Sequence, residues 1–225
     1  FTLVLHCNQV YRMNIYLSLI IGYMVGIVIK YIVNWLAIDG YKVKRTNFSL
    51  EILNGLSCTW SFYTLPTSEA IIFASMCCIL SGISIIDLYT FKIPLILILT
   101  GLVVSLFGLS VGIISFKSAI WGIFVGAVIP LAIVGTLWLI TKRQGMGFGD
   151  IQLGLLIGIW LGPMRMAITL FFASSLSLTV WVLTSFFKGF NKDRAMPMAP
   201  FLSLSSISVF IGSFYYPNIF NLFIL

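Results

Sequence analysis

The sequence predicts an all-α polytopic membrane protein with about eight transmembrane helices. Three observations carry that. Hydrophobic residues make up 60 % of the 225, charged residues only 8 %, and the mean hydropathy is +1.10. Soluble domains carry about a quarter charged residues, so this chain has too few to cover a water-facing surface. The apolar residues fall into long runs separated by short gaps, and the basic residues sit in those gaps.

Eight apolar segments are expected, running roughly Ile15–Ile38, Leu50–Leu65, Ala70–Ile86, Pro94–Ile114, Ala119–Thr141, Asp150–Leu161, Met166–Phe187 and Pro200–Tyr215. A bilayer asks for about 20 apolar residues per helix, and shorter helices are tolerated inside a bundle. The gaps, such as DGYKVKRTN, PTSE and KGFNKDRAMPM, are too short for a soluble domain. The expectation is one integral-membrane domain over 1–225, with a reduced N-terminal region over 1–48 and a helical core over 49–215. The opening FTLVLHCNQVYRMN has an apolar stretch too short to span and no basic residues ahead of it, so it does not read as a cleaved signal peptide.

Orientation follows from counting. Eight spans place Lys42, Lys44, Arg45, Lys92, Lys142, Arg143, Lys188, Lys192 and Arg194 on one side, and Arg12, Lys117 and Arg165 on the other, with Lys30 inside the first span. The excess of positive charge marks the first side as cytoplasmic. The net charge of +7 is thus an orientation signal. No basic stripe with interleaved aromatics is present, so nucleic acid is not an expected partner.

The metal and thiol chemistries find little support. Cys7, Cys58, Cys77 and Cys78 form no CxxC pair, and three lie in or beside apolar runs, where a cysteine is a small buried apolar side chain. His6 has no partner in the sequence. No metal site is expected.

The acids remain. Asp87 ends the third segment and Asp150 opens the sixth, both on the cytoplasmic side. Asp39, Glu51 and Asp193 share that side, and Glu69 lies opposite. Ionisable groups at the edge of hydrocarbon are costly and often functional. Two carboxylates at one site can share a proton; the ionised one takes a proton from water while the protonated one polarises a scissile carbonyl. The competing account makes each acid a helix-terminal carboxylate, with Asp150 capping free amides at a helix start.

The stretch Gly145-Met146-Gly147-Phe148-Gly149-Asp150 sets three alternating glycines before the acid. Glycine permits positive φ and close backbone approach, so such a loop can admit an extended peptide beside the carboxylate. It is not followed by the Lys-Ser/Thr of a phosphate-binding loop.

This stretch resembles the GxGD signature of type IV prepilin peptidases, a family of membrane aspartyl proteases. Asp87-Leu-Tyr-Thr-Phe-Lys-Ile-Pro94 resembles that family's first active-site segment. Met196-Pro197-Met198-Ala199-Pro200-Phe201-Leu202 is similar to its Pro-Phe-Gly-Pro-Phe stretch, and Glu51-Ile-Leu-Asn-Gly55 to its Glu-Leu-Leu-x-Gly. The resemblance runs in consistent order from Glu51 to Leu202. It implies a GxGD aspartyl protease-like fold with Asp87 and Asp150 as the catalytic pair. Gly145, Gly147 and Gly149 would form the active-site loop, with Pro94, Pro197 and Pro200 supporting it. The implied reaction is removal of the basic leader from a prepilin or pseudopilin precursor at the cytoplasmic face of the inner (plasma) membrane. In such substrates the leader ends in Gly and an apolar helix follows.

The chain departs from the family in places. The cytoplasmic loop with two CxxC pairs, which looks like a zinc site, is absent from DGYKVKRTN. The Gly-Ser-Phe-Leu-Asn segment is echoed only by Gly22-Tyr-Met-Val-Gly26. Ile151-Gln152-Leu153 stands where x-Lys-Leu is usual, and Ala199 where Gly is usual. The first two departures fall in the part tied to methylation. No cofactor is implied for proteolysis, and S-adenosylmethionine enters only if methyl transfer is retained. The alternatives are an archaeal-type preflagellin peptidase and, from another class, a non-enzymatic transport or assembly subunit. A presenilin or signal-peptide-peptidase kind of protease is disfavoured, since Asp87 follows Ile86 rather than Tyr and no Pro-Ala-Leu occurs.

Overall fold

The structure is a computed structural model describing residues 14–36, 38–44, 48–142, 147–190 and 196–218. The described residues are helical throughout their regular structure. They fall into α1 (Ile15–Leu36), α2 (Ser49–Thr64), α3 (Thr67–Thr90) and α4 (Leu95–Ser110). A continuous run of α5 (Phe116–Ile123), a π turn (Phe124–Val128) and α6 (Ile129–Thr141) follows, then α7 (Phe148–Leu161), α8 (Pro163–Lys188) and α9 (Ala199–Tyr215), with a 3-10 turn at Ile38–Gly40 after α1. Each expected apolar segment is a helical run. Four of them, Ile15–Leu36, Thr67–Thr90, Phe116–Thr141 and Pro163–Lys188, are long and apolar enough to cross a bilayer. Leu95–Ser110, Phe148–Leu161 and Ala199–Tyr215 are shorter apolar helices.

The chain divides into two compact units, Phe1–Gly82 and Ile83–Leu225, with α3 contributing residues to each. In the first unit α1 lies against α2 through glycines. A Cβ on Gly22 would meet the Asn54 carbonyl oxygen at 2.6 Å and the Gly55 Cα at 2.8 Å. Gly22 and Gly26 thus form the small-residue seam that lets two helix backbones approach closely. One turn further along α1, Lys30 Nζ donates to Glu51 Oε1 at 2.8 Å, with both residues buried. Asn54 and Ser81 exchange side-chain hydrogen bonds at 3.2 and 3.3 Å, tying α2 to the first part of α3. Cys58, Cys77 and Cys78 are buried free thiols, as their apolar surroundings lead one to expect; His6 and Cys7 lie outside the described residues.

In the second unit α7 is the central element. It has 14 residues, about 21 Å of helix, and beyond Gln152 it is apolar on all sides, the pattern of a helix enclosed by others. Leu153, Leu156 and Ile157 are wholly buried. Its seat is a double glycine crossing. A Cβ on Gly122 or Gly158 would strike the other's backbone carbonyl, and so would one on Gly126 or Gly154. Both helices carry their glycines four residues apart, so each presents a flat strip to the other. The π turn sits beside this crossing. Pro130, in the first turn of α6, has no N–H to donate, and Ile129 N–H reaches back to the Phe124 carbonyl. Trp160 of α7 stacks on Phe210 of α9 with ring centroids 5.2 Å apart.

Candidate active site

Hydropathy ends the third segment at Ile86, but α3 continues through Asp87-Leu88-Tyr89-Thr90. It stops at Phe91, which takes a left-handed conformation (φ 53°) and donates its N–H to the Asp87 carbonyl at 2.9 Å. Asp87 therefore lies inside the last turn of the helix and is buried. The chain then turns through Lys92 and Ile93 to Pro94, which is buried and precedes α4 with its carbonyl accepting from Leu97 at 3.1 Å.

Asp87 Oδ2 accepts the backbone N–H of Ala199 at 2.9 Å, and the Met198 amide also bonds to the carboxylate. These amides open α9, with Met198 as its N-cap and Pro200 in its first turn. Helix N-termini leave free N–H groups and a partial positive charge, and a carboxylate from elsewhere in the fold satisfies both. The stretch from Pro197 to Pro200 thus meets the first acid, 112 residues away in sequence.

Asp150 stands three residues after Gly147, the N-cap of α7. Its carboxylate accepts from the Gly147 amide, while its own N–H donates to the Gly147 carbonyl at 3.2 Å. The carboxylate-to-amide bond is the N3 half of a capping box, and the second bond is an ordinary turn bond, since Gly147 has no side chain to supply the other half. The Asp87 charge bears directly on Asp150. Two acids separated by 63 positions (150 − 87) thus come to one site. Each also satisfies a helix N-terminus, so the capping and pairing roles coexist.

Of the two uses expected of the glycines before Asp150, positive φ and close approach, Gly147 and Gly149 show the second. Gly147 has φ −72°, a backbone open to any residue; a Cβ there would lie 3.2 Å from Asp150 Oδ2. At Gly149 a Cβ would meet the Ile93 side chain at 3.0 Å. Close approach is what these positions need. Gly149 seats the start of α7 on the α3–α4 turn, and Gly147 leaves room for the carboxylate. Gly145 lies outside the described residues.

Of the other acids expected on the cytoplasmic side, Glu51 is paired with Lys30 and buried. Its charge is thus neutralised within the helix pair rather than offered at the surface. A lone Lys in one span and a lone Glu in the next was the available signal. The side chain of Asp39, and Asp193, lie outside the described residues. The four-residue spacing in Gly22-x3-Gly26, Gly122-x3-Gly126 and Gly154-x3-Gly158 is the sequence signal for these helix seams.

Fold and site together define a class: an all-helical chain, with runs able to span a bilayer, in which aspartates from two helices share one site. Comparison with known proteins narrows it. Residues 71–183 match the type IV leader peptidase family, and the chain belongs to that family. Curated relatives are named prepilin leader peptidase/N-methyltransferase. That of Pseudomonas putida is 29 % identical over 155 residues, covering 67 % of this chain and 53 % of its own. That of Aeromonas hydrophila is 26 % identical over 131 residues, 56 % of this chain and 44 % of its own. That of Dichelobacter nodosus is 28 % identical over 120 residues, 53 % and 40 % respectively. The chain spans about half the length of the curated relatives it matches. No solved structure matches it.

Proposed function

We propose that this chain is an aspartic endopeptidase of the membrane that removes the basic leader from prepilin or pseudopilin precursors. The observation that carries it is the meeting of Asp87 and Asp150, from separate helices, at the start of the GxGD helix. Family membership and the names of the relatives support the substrate class.

The chemistry needs only these two side chains and water. One carboxylate removes a proton from water as it attacks the scissile carbonyl, and the other gives its proton to the carbonyl oxygen. No cofactor is required for that step. Among the described residues no group of three or more His, Cys, Asp or Glu offers a metal site, so the proposed mechanism uses none. The eight helical runs support an eight-span topology with the site at the cytoplasmic face, the side that then carries most of the Lys and Arg. Methyl transfer from S-adenosylmethionine is left out of the proposal. The segment that echoes the family's methylation-linked stretch, Gly22–Gly26, is occupied in seating α1 on α2.

Asp87→Asn and Asp150→Asn test the proposal. Each variant is expected to insert in the membrane and to leave a prepilin-like substrate uncut, since each acid holds one half of a shared step. Cleavage at the wild-type rate by either purified variant refutes the two-aspartate mechanism. Failure of the wild-type protein to cut any substrate with a basic leader, Gly and an apolar helix refutes the peptidase assignment.

A further inference from the structure

The two aspartates are not held alike. Asp87 receives two backbone amides, Ala199 N–H at 2.9 Å and Met198 N–H, from the N-terminus of a separate helix. Asp150 receives one, from Gly147 in its own first turn. Asp87 is buried and Asp150 partly exposed; burial by itself disfavours the charged form of Asp87, and the two amides oppose that. A carboxylate that accepts backbone N–H bonds is stabilised in its charged form, most strongly where water cannot compete. Two neighbouring carboxylates resist double ionisation, so one negative charge settles where more donors point at it.

We propose that the first turn of α9, through the Met198 and Ala199 amides, is the positioning element that makes Asp87 the ionised member of the pair. Asp87 is then the general base and Asp150 the proton donor. This rests on the peptidase assignment for its catalytic meaning. The bookkeeping of the step closes. Asp87 takes a proton from water as the water oxygen bonds to the carbonyl carbon, and Asp150 gives its proton to the carbonyl oxygen. The resulting gem-diol collapses: Asp87 passes its proton to the leaving nitrogen as the C–N bond breaks. Asp150 recovers a proton from one hydroxyl as the carbonyl reforms. One water is consumed, an acid and an amine leave, and both aspartates end as they began.

Among the described residues, the ionisable groups around Asp87 are few. Asp150 on α7 bears on it; Lys92 and Tyr89, near the end of α3, are exposed. No acidic or basic side chain lies on α4 or α9. Among these described groups, a change in the α9 amides reads out chiefly through the aspartate pair.

The test replaces the 198–199 amide by an ester, by incorporating lactic acid at position 199. This deletes the N–H donor and keeps the methyl side chain. A backbone ester at position 204, in the middle of α9, made with the hydroxy acid that keeps the Leu204 side chain, controls for the chemistry. Cleavage of a peptide with a basic leader, Gly and an apolar helix is followed against pH. The acid limb of kcat/KM reports the base, and the basic limb the acid. Loss of a donor to an anionic base moves the acid limb to higher pH, by about one pH unit for a charge-assisted hydrogen bond, with the basic limb fixed. Movement of the basic limb instead, or equal loss at all pH values, overturns the proposal. A structural role alone would lower activity without moving one limb.

A second measurement on the wild-type protein needs neither the ester variant nor cleavage. An aryl glycidyl ether epoxide is opened by a carboxylate anion, giving an ester and an alkoxide that takes a proton from water. A diazoacetyl ester takes the proton of a carboxylic acid, loses dinitrogen and esterifies it. Near neutral pH, in detergent, peptide mass spectrometry is expected to find the epoxide on Asp87 and the diazo label on Asp150. The opposite pattern, or no preference, overturns the assignment of roles. If the labels divide as expected and no substrate is cut, the peptidase assignment fails while the asymmetry stands.

Discussion

Lys30→Met breaks the buried ion pair of the first unit and leaves Glu51 without its cation. The pair is tight, at 2.8 Å, with the Lys30 and Glu51 side chains 10 % and 3 % exposed. Removing one partner of such a pair costs about 3–5 kcal/mol, because the remaining charge keeps its desolvation penalty and loses its attraction. Glu51 has little else to fall back on: its Oε2 is buried with no hydrogen-bond partner among the described residues. Replacing both members by apolar residues of similar size is close to neutral. Lys30→Met is thus expected to lower the unfolding midpoint by on the order of 10 °C, and Lys30→Met combined with Glu51→Met to recover most of that loss. The assay is thermal unfolding in detergent, read by tryptophan fluorescence, as a double-mutant cycle. A double variant as unstable as the sum of the singles refutes the reasoning, since the pair would then contribute no coupling.

Three further outcomes are expected. Gly158→Val puts a branched side chain against the Gly122 backbone, which cannot rotate away. It should cost about 1–3 kcal/mol or more and lower cleavage by displacing α7; wild-type stability and activity would discard the close crossing. A substrate with Val in place of the Gly before the cut should resist processing, because Gly favours the extended backbone a protease needs and fits a crowded site; efficient cleavage removes that argument. Reporters fused after Lys142 and Lys117 should lie inside and outside respectively, by the distribution of positive charge, and the reverse pattern overturns the proposed topology.

The helices were legible because hydropathy is a local property that adds along the chain. The segment expected over Ile15–Ile38 is the helix Ile15–Leu36, and that over Pro200–Tyr215 is Ala199–Tyr215. Ends set by capping escaped. The fourth segment was expected to reach Ile114 but stops at Ser110, where Val111 leads into Gly112 at φ 77°. The third continues past Ile86 because hydrogen bonding persists where apolarity ends. Such terminations turn on single backbone conformations, which a hydropathy average does not register.

By itself the sequence determined that the chain is helical and apolar, and that two acids stand at helix ends beside a glycine-rich turn. Tertiary structure alone decided what those acids touch. The Asp87 carboxylate meets amides of Ala199 and Met198, far along the chain, and Glu51 is withdrawn to Lys30. Gly149 serves Ile93 rather than a bend of its own. The reason is geometric. Hydrogen bonds and ion pairs act over about 3 Å, and which groups come that close is settled by how helices seat on one another. Here that seating follows from glycine pairs on facing helices, such as Gly122 with Gly158 and Gly126 with Gly154.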